Sequence, residues 1–314
     1  MHLTSAMTLS KKTMVVAGLP VHIYSERHLT EHNGPVAIMF FLHGRTGSAK
    51  GIEGIVEDTL KQVGQKRRCH SKLALDLIVV TFDQRNHGDR LVDAHANGAW
   101  KKGNNDRHAI DMYAIQSEHP TDSFEQNSCI YSLAGTAQDV SYLIDFLPSY
   151  LFPAGERQIA HWLVAGKSLG GHSTWIALRH EPRINLAIPI IACPDYMKLI
   201  TKRAKYSGVP LEPPYFTDSL RAYIDKHDPA RAPYTANDTS NPFWGKKILV
   251  MSGGSDPLVP FTYSEEFVEG LNVGPDGIKK VVVQPDAQHE CTPSMVSEMA
   301  DFIWENCLKV SGKE

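Results

Sequence analysis

A glycine-flanked serine stands where an apolar run ends: Trp162–Ala165 leads into Gly166-Lys167-Ser168-Leu169-Gly170-Gly171. The pattern G-x-S-x-G between a buried strand and a helix puts the serine on a sharp turn and lifts its hydroxyl above the sheet. A larger side chain at Gly166 or Gly170 would collide with neighbouring backbone. A serine hydroxyl is a poor nucleophile at neutral pH, so it needs a base, and the base needs an acid to hold it. Two later apolar runs supply both. Ile248–Met251 is followed by Ser252-Gly253-Gly254-Ser255-Asp256-Pro257, and Val281–Gln284 by Pro285-Asp286-Ala287-Gln288-His289. Ser168, Asp256 and His289 thus come in the order that such sheets use, each just past a strand. The plainer readings are a turn aspartate before Pro257 and a loop histidine, one of 15 in the chain. Asp286 is the rival acid, but it shares the loop of the histidine and sits too close to orient it. His172 points along a helix and is the weaker base.

Acyl chemistry also needs donors for the developing oxyanion. The run Val36–Leu42 ends in His43-Gly44-Arg45-Thr46-Gly47-Ser48. A loop at that place offers one backbone N–H and the residue after the nucleophile the other, which selects the amides of Arg45 and Leu169. The alternative for His43-Gly44 is a plain tight turn. The Arg45 side chain, if it turns inward, would meet an acidic group of a substrate; if outward, it is solvated or ion-paired. His43, Gly44, His87, Trp100, Tyr113, Tyr206, Tyr215 and Phe216 are the candidates to line a substrate pocket, with insertion core as the alternative for the aromatic ones.

The elements that must position these groups follow from the apolar pattern. Val36–Leu42, Leu75–Phe82, Trp162–Ala165, Ile184–Ile191, Ile248–Met251 and Val281–Gln284 are unbroken rather than alternating, as in parallel strands covered on both faces. Met14–Ala17 and Val21–Tyr24 flank Gly18-Leu19-Pro20 and read as an antiparallel edge hairpin. Helical stripes fall between the strands: Ile52, Ile55, Val56, Leu60 and Val63; then Val140, Leu143, Ile144 and Leu147, stopped by Pro148. A last helix has Thr292 as its cap, Pro293 at its first position, and a stripe of Val296, Met299, Ala300, Ile303 and Cys307. The alternation predicts one domain over 1–314, a doubly wound, mostly parallel α/β sheet. Two polar, irregular stretches interrupt it, about 87–130 and about 193–245; the second holds seven of the 19 prolines. Both follow strand C-termini, where open sheets bind their ligands, so they are expected to form a lid or pocket wall rather than padding at a sheet edge.

Composition excludes several classes. The 314 residues are 42% hydrophobic and 21% charged, with a formal net charge of −3, which fits neither a low-complexity chain nor a nucleic-acid binder. The runs Lys66-Arg67-Arg68 and Lys202-Arg203-Ala204-Lys205 read as solvated helix ends. Five scattered cysteines have no CxxC or metal-ligand spacing. No signal peptide or membrane-spanning run is seen, so the expectation is a cytoplasmic protein acting without metal or organic cofactor on a small-molecule ester. His28-Leu29-Thr30-Glu31-His32 matches a zinc-peptidase pattern, but it meets a turn where that pattern requires a helix. Gly44–Lys50 lacks the second glycine of a phosphate loop.

With these motifs in hand, the chain resembles the α/β-hydrolases, and among them the dienelactone-hydrolase and prolyl-oligopeptidase-like serine hydrolases. The matching residues are His43-Gly44, Asp83-Gln84-Arg85-Asn86-His87-Gly88-Asp89-Arg90, the turn around Ser168, Asp256 and His289, within about 35–90, 130–192 and 246–308. Arg45 and Lys167 depart from the usual pattern. The resemblance implies the α/β-hydrolase fold and hydrolysis of acyl compounds, with a carboxylic ester first and a lactone or thioester next. Peptidase action and a non-catalytic ligand-binding role are the rivals. Asp83–Arg90 is expected to brace the sheet edge.

Overall fold

Five of the six unbroken apolar runs form mainly buried strands; the sixth, Val281–Gln284, lies in an edge strand where Val281 and Val283 are exposed. The computed structural model describes residues 9–26, 34–70, 74–116 and 135–309. Eight strands and nine α-helices are described, in the order β1 Leu9–Val16, β2 Leu19–Glu26, β3 Val36–Leu42, α1 Glu53–His70, β4 Asp76–Thr81, α2 Trp100–Gly103, α3 His108–Gln116, α4 Thr136–Leu151, β5 Ile159–Lys167, α5 Leu169–His180, β6 Ile184–Ile190, α6 Tyr196–Ser207, α7 Asp218–His227, β7 Lys247–Gly253, α8 Glu265–Gly270, β8 Ile278–Gln284 and α9 Pro293–Ile303. The sheet order is β1-β2-β4-β3-β5-β6-β7-β8. The β1–β2 and β2–β4 pairs are antiparallel, and the remaining neighbours are parallel. The edge hairpin turns at Ala17-Gly18, both at positive φ, a twist that matches that of the flanking strands.

Each face of the sheet carries its own apolar layer. Val140, Leu143, Ile144 and Leu147 of α4 and Trp175 of α5 cover one face, against Ile38, Phe40 and Val164. Val56, Leu60 and Val63 of α1 and Met295, Met299 and Ile303 of α9 cover the other, against Met39, Phe41 and Leu249. Burial on both sides explains why β3 and β4 are apolar at nearly every position. The Thr292 hydroxyl caps α9 by accepting from the Met295 amide, with Pro293 in the first turn.

Three readings need correction. Pro148 does not stop its helix: α4 runs one turn further, to Leu151, and Phe152 N–H donates to the Pro148 carbonyl at 2.8 Å. Pro148 costs only its own N–H, and the chain beyond it closes one more helical bond. The two insertions are not irregular where they are described. The first carries α2 and α3, and the second carries α6 and α7; residues 117–130, and the His28–His32 pattern, lie outside the described residues. The buried side chains of these helices pack on each other: Trp100, Met112 and Tyr113 meet Tyr196, Leu199, Ile200, Phe216, Leu220 and Ile224, with Leu169 beneath them, while Ala232 and Phe243 of the second insertion join the core against the sheet. Nor are the two basic runs wholly solvated: Arg67 pairs with Asp76, and Arg203 is half-buried.

Candidate active site

Strand β5 delivers the chain to Ser168, whose φ of 56° and ψ of −115° are sterically strained for an L-residue. The fold holds that conformation from several sides. Ser168 N–H donates to Ile190 O at 2.9 Å, Gly170 N–H to His43 O at 3.0 Å, and His172 N–H to Ser168 O at 2.9 Å. A side chain at Gly170 would strike the Leu42 and His43 carbonyls, and one at Gly166 would strike the Gly170 carbonyl.

The β7 and β8 loops are joined in the same way. Gly254 N–H donates to Gln284 O at 2.7 Å and Ser255 N–H to Ala287 O at 3.0 Å. This places Asp256 beneath His289. One Asp256 oxygen accepts from the Leu258 and Val259 amides at 2.8 and 3.0 Å. The other lies 2.7 Å from His289 Nδ1, and His289 Nε2 lies 2.8 Å from Ser168 Oγ. Burial pushes the Asp256 carboxyl up, but the bonds from His289, Val259 and Leu258 outweigh it and leave it below the ordinary carboxylate value. Asp286, the rival acid, is exposed, and His172 is turned to the Cys193 backbone, its Nδ1 3.1 Å from the Cys193 nitrogen.

The loop after β3 lies beside the serine; a Cβ on Gly44 would stand 3.5 Å from Ser168 Cβ. His43 fixes this loop. Its Nε2 accepts from Gln84 N–H at 3.0 Å while Nδ1 donates to Gly44 O at 2.8 Å. Burial lowers the His43 pKa to about 4, which keeps the ring in that neutral form. Leu169 opens α5, so its N–H belongs to the helix donors that have no acceptor within the helix. The Arg45 N–H, next along the loop, has no backbone acceptor among the described residues.

Asp83–Arg90 is a brace. The Asp83 carboxylate accepts from the Ala49 and Asp89 amides, and Arg85 and Arg90 both pair with Asp139. His87 is buried, with its ring 5.3 Å from that of His43 and its Nδ1 donating to Arg85 O. The aromatic pocket candidates separate. Trp100 meets His108 edge to face, as Tyr113 meets Tyr196 and Tyr223, and Phe216 is buried under the Arg221 guanidinium; all three are insertion core. Tyr206 is 81% exposed with the Lys101 amine over its ring, so it faces solvent rather than a pocket. Tyr215 is half-buried against the insertion core.

Arg203 departs from the solvated run in which the sequence places it. It follows Leu199 by four residues and Ile200 by three, so helical spacing sets it on the apolar stripe of α6, while Lys202 and Lys205 are exposed. Among the described residues no group of three or more His, Cys, Asp or Glu is arranged to hold a metal ion, and no helix is long and apolar enough to cross a membrane.

No family model and no curated protein matches the sequence. Solved structures do match. TT1662 from Thermus thermophilus superposes with a TM-score of 0.64 at 18% identity, over 96% of this chain and 100% of that one. The esterase Pf2001 from Pyrococcus furiosus gives 0.53 at 16% identity, over 95% and 92%. An acylaminoacyl peptidase from Pyrococcus horikoshii gives 0.57 at 10% identity, over 99% of this chain and 43% of that one. The chain has the α/β-hydrolase fold.

Proposed function

We propose that this chain is a serine hydrolase that cleaves a carboxylic ester, with lactones and thioesters as the next class, through an acyl-enzyme on Ser168. The observation that carries the reading is the unbroken hydrogen-bond chain from Ser168 Oγ to His289 Nε2 at 2.8 Å and from His289 Nδ1 to Asp256 at 2.7 Å. Ser168 Oγ attacks the acyl carbon as His289 Nε2 takes its proton. The Arg45 and Leu169 amides hold the oxyanion of the tetrahedral intermediate. Its collapse breaks the ester bond, and the alcohol leaves with the proton from His289. A water then repeats the cycle against the acyl-enzyme and frees the acid. Asp256, kept ionised, fixes the tautomer of His289 and stabilises the imidazolium. Esterases among proteins of similar fold support the reading; a peptidase among them makes amide cleavage the second one.

The test uses p-nitrophenyl acetate, a matched p-nitroanilide and a fluorophosphonate probe. Wild type is expected to turn over the ester, to leave the anilide nearly untouched, and to be labelled at Ser168. Ser168→Ala should lose the label and at least about 10⁴-fold in kcat. Labelling that survives in Ser168→Ala removes the assignment of the nucleophile. Absence of both labelling and turnover in wild type favours a ligand-binding role.

A further inference from the structure

Thr46 lies close to the nucleophile turn in a backbone conformation that its own side chain opposes. Gly47 N–H donates to Gly44 O at 3.0 Å, which closes a four-residue turn with Arg45 and Thr46 at its centre. Thr46 has a φ of 61°, in the left-handed region, where a β-branched residue is a steric outlier. It is exposed, so no packing of its side chain holds it there. The turn stands against the nucleophile, since a Cβ on Gly44 would lie 3.5 Å from Ser168 Cβ and from the Lys167 carbonyl. Its flanks are fixed: His43 Nδ1 donates to Gly44 O at 2.8 Å, and Ala49 N–H donates to the Asp83 carboxylate at 2.7 Å.

At the centre of the turn, the one tie among the described residues is the Arg45 side chain. It is half-buried and has no carboxylate partner among those residues. Its Nη1 donates instead to the Asn97 carbonyl at 3.2 Å, across 52 residues of chain. Asn97 belongs to the first insertion and is itself held. Its Nδ2 donates to Asn86 O at 2.7 Å, and Asn86 Oδ1 accepts from the Val92 and Asp93 amides at 3.0 and 2.8 Å. Leu169, the other residue whose amide would meet the oxyanion, sends its side chain into the apolar cluster of the insertions. Both of these residues are thus gripped by the insertions through their side chains.

We propose that Arg45 is a positioning residue: its side chain, tied to Asn97, holds the strained turn so that the Arg45 amide stays aimed at the oxyanion, and the first insertion thereby acts on the chemistry at Ser168. This rests on the serine-hydrolase reading above. The balance is one of strain against tether. A turn with a β-branched residue at positive φ relaxes when it is free to, and the neighbouring N–H moves with it. An oxyanion donor works only from a fixed place about 3 Å from the oxygen that develops in the transition state, and a displacement of about 1 Å costs up to about 10²-fold. The ground-state carbonyl carries little of that charge, so the loss falls on kcat and not on KM.

The experiment is steady-state hydrolysis of p-nitrophenyl acetate. Arg45→Met should lower kcat by about 10- to 100-fold, with KM within about threefold of wild type. Arg45→Lys keeps a charged donor that can reach a carbonyl and should recover most of that loss. Thr46→Gly removes the strain, because glycine takes a positive φ freely; alone it should change kcat by less than about threefold. In the Arg45→Met background it should restore most of the lost turnover. Asn97→Ala frees the tether at its other end and also removes an Oδ1 that is buried without a partner. It should lower kcat in the same way, should add nothing to Arg45→Met, and carries the test if the Met variant does not fold. A kcat unchanged in both Arg45→Met and Asn97→Ala overturns the positioning role. So does a loss that appears in KM, or one that Thr46→Gly leaves untouched, since Arg45 then acts on the substrate or on folding alone. These outcomes leave the hydrolase intact, because the fluorophosphonate still labels Ser168 of wild type. If wild type neither turns over the ester nor takes the label, the hydrolase reading fails and the positioning role falls with it.

Discussion

Ser168 sits in a conformation that costs of order 1–3 kcal/mol, and its neighbours supply the hydrogen bonds that hold it there. The gain is an oxygen already within 2.8 Å of His289 Nε2. In the proposed mechanism Asp256 acts one step back. Removing its charge while keeping its shape should let His289 take the wrong tautomer, so Asp256→Asn is expected to lower kcat about 10⁴-fold with KM little changed, read by steady-state kinetics on p-nitrophenyl acetate. A loss below about tenfold would show that another group orients the ring. These three residues were legible because each has a distinctive type at the first turn past an apolar run. Arg203 was not: it lies inside Lys202-Arg203-Ala204-Lys205, and a basic run suggests water. Only the spacing from Leu199 and Ile200 marks it as facing inward, and spacing alone gives no hint that its partner would be a sulfur.

At the level of elements, the turn after β5 works because α5 presses against the end of β3. A Cβ on Gly170 would meet the Leu42 and His43 carbonyls, which are backbone and have nowhere to go. Gly170→Ala is therefore expected to lose about 2–3 kcal/mol despite the better helix propensity of alanine, and to disturb the loop after β3 with it. Gly54 of α1 is exposed and has no atom within 4 Å of its would-be Cβ, so Gly54→Ala should gain about 0.5–1 kcal/mol. Urea denaturation of the two variants checks both signs; a Gly170→Ala protein as stable as wild type would mean that the β3 loop yields freely. The inner strands were legible because burial on two faces leaves no polar alternation to misread. The insertion helices were hidden for the opposite reason: α6 and α7 bury narrow stripes against one another, between prolines, and nothing in the sheet pattern announces them.

At the scale of the whole molecule, the described residues form three apolar clusters, two against the sheet and one in the insertions, and the third must be tied down. The tie runs through the end of α5. Arg179 donates to the Asp228 and Lys226 carbonyls, and His180 lies 3.0 Å from His227 O. Tyr196 N–H, at the start of α6, donates to the Asp228 carboxyl at 3.1 Å, and Ala230 N–H returns to Pro194 O. Asp228 is buried with no ion pair among the described residues, and burial raises its pKa well above the ordinary value, with Asp195 adding to the rise. Between the ordinary carboxylate pKa, about 3.9, and that raised value, Asp228 holds a proton in the folded chain that the unfolded chain has lost. Its contribution to stability is therefore fully present at the acid end of that window and is lost as pH rises through it. Asp228→Asn keeps an acceptor for Tyr196 N–H and has no charge to bury, so it should match wild type near pH 4 and exceed it at pH 8. Each pH unit of the window is worth about 1.4 kcal/mol, roughly 2 °C in Tm for a chain of this size. Carboxylates with lowered pKa values, Asp256 and Glu181, drive stability the other way in both proteins and cancel in the comparison. Thermal melts of the pair from pH 4 to pH 8 check it. A Tm difference that stays constant across that range would mean that Asp228 is ionised throughout, with Arg179 as its counter-charge and the insertion fastened by an ion pair instead of a protonated acid.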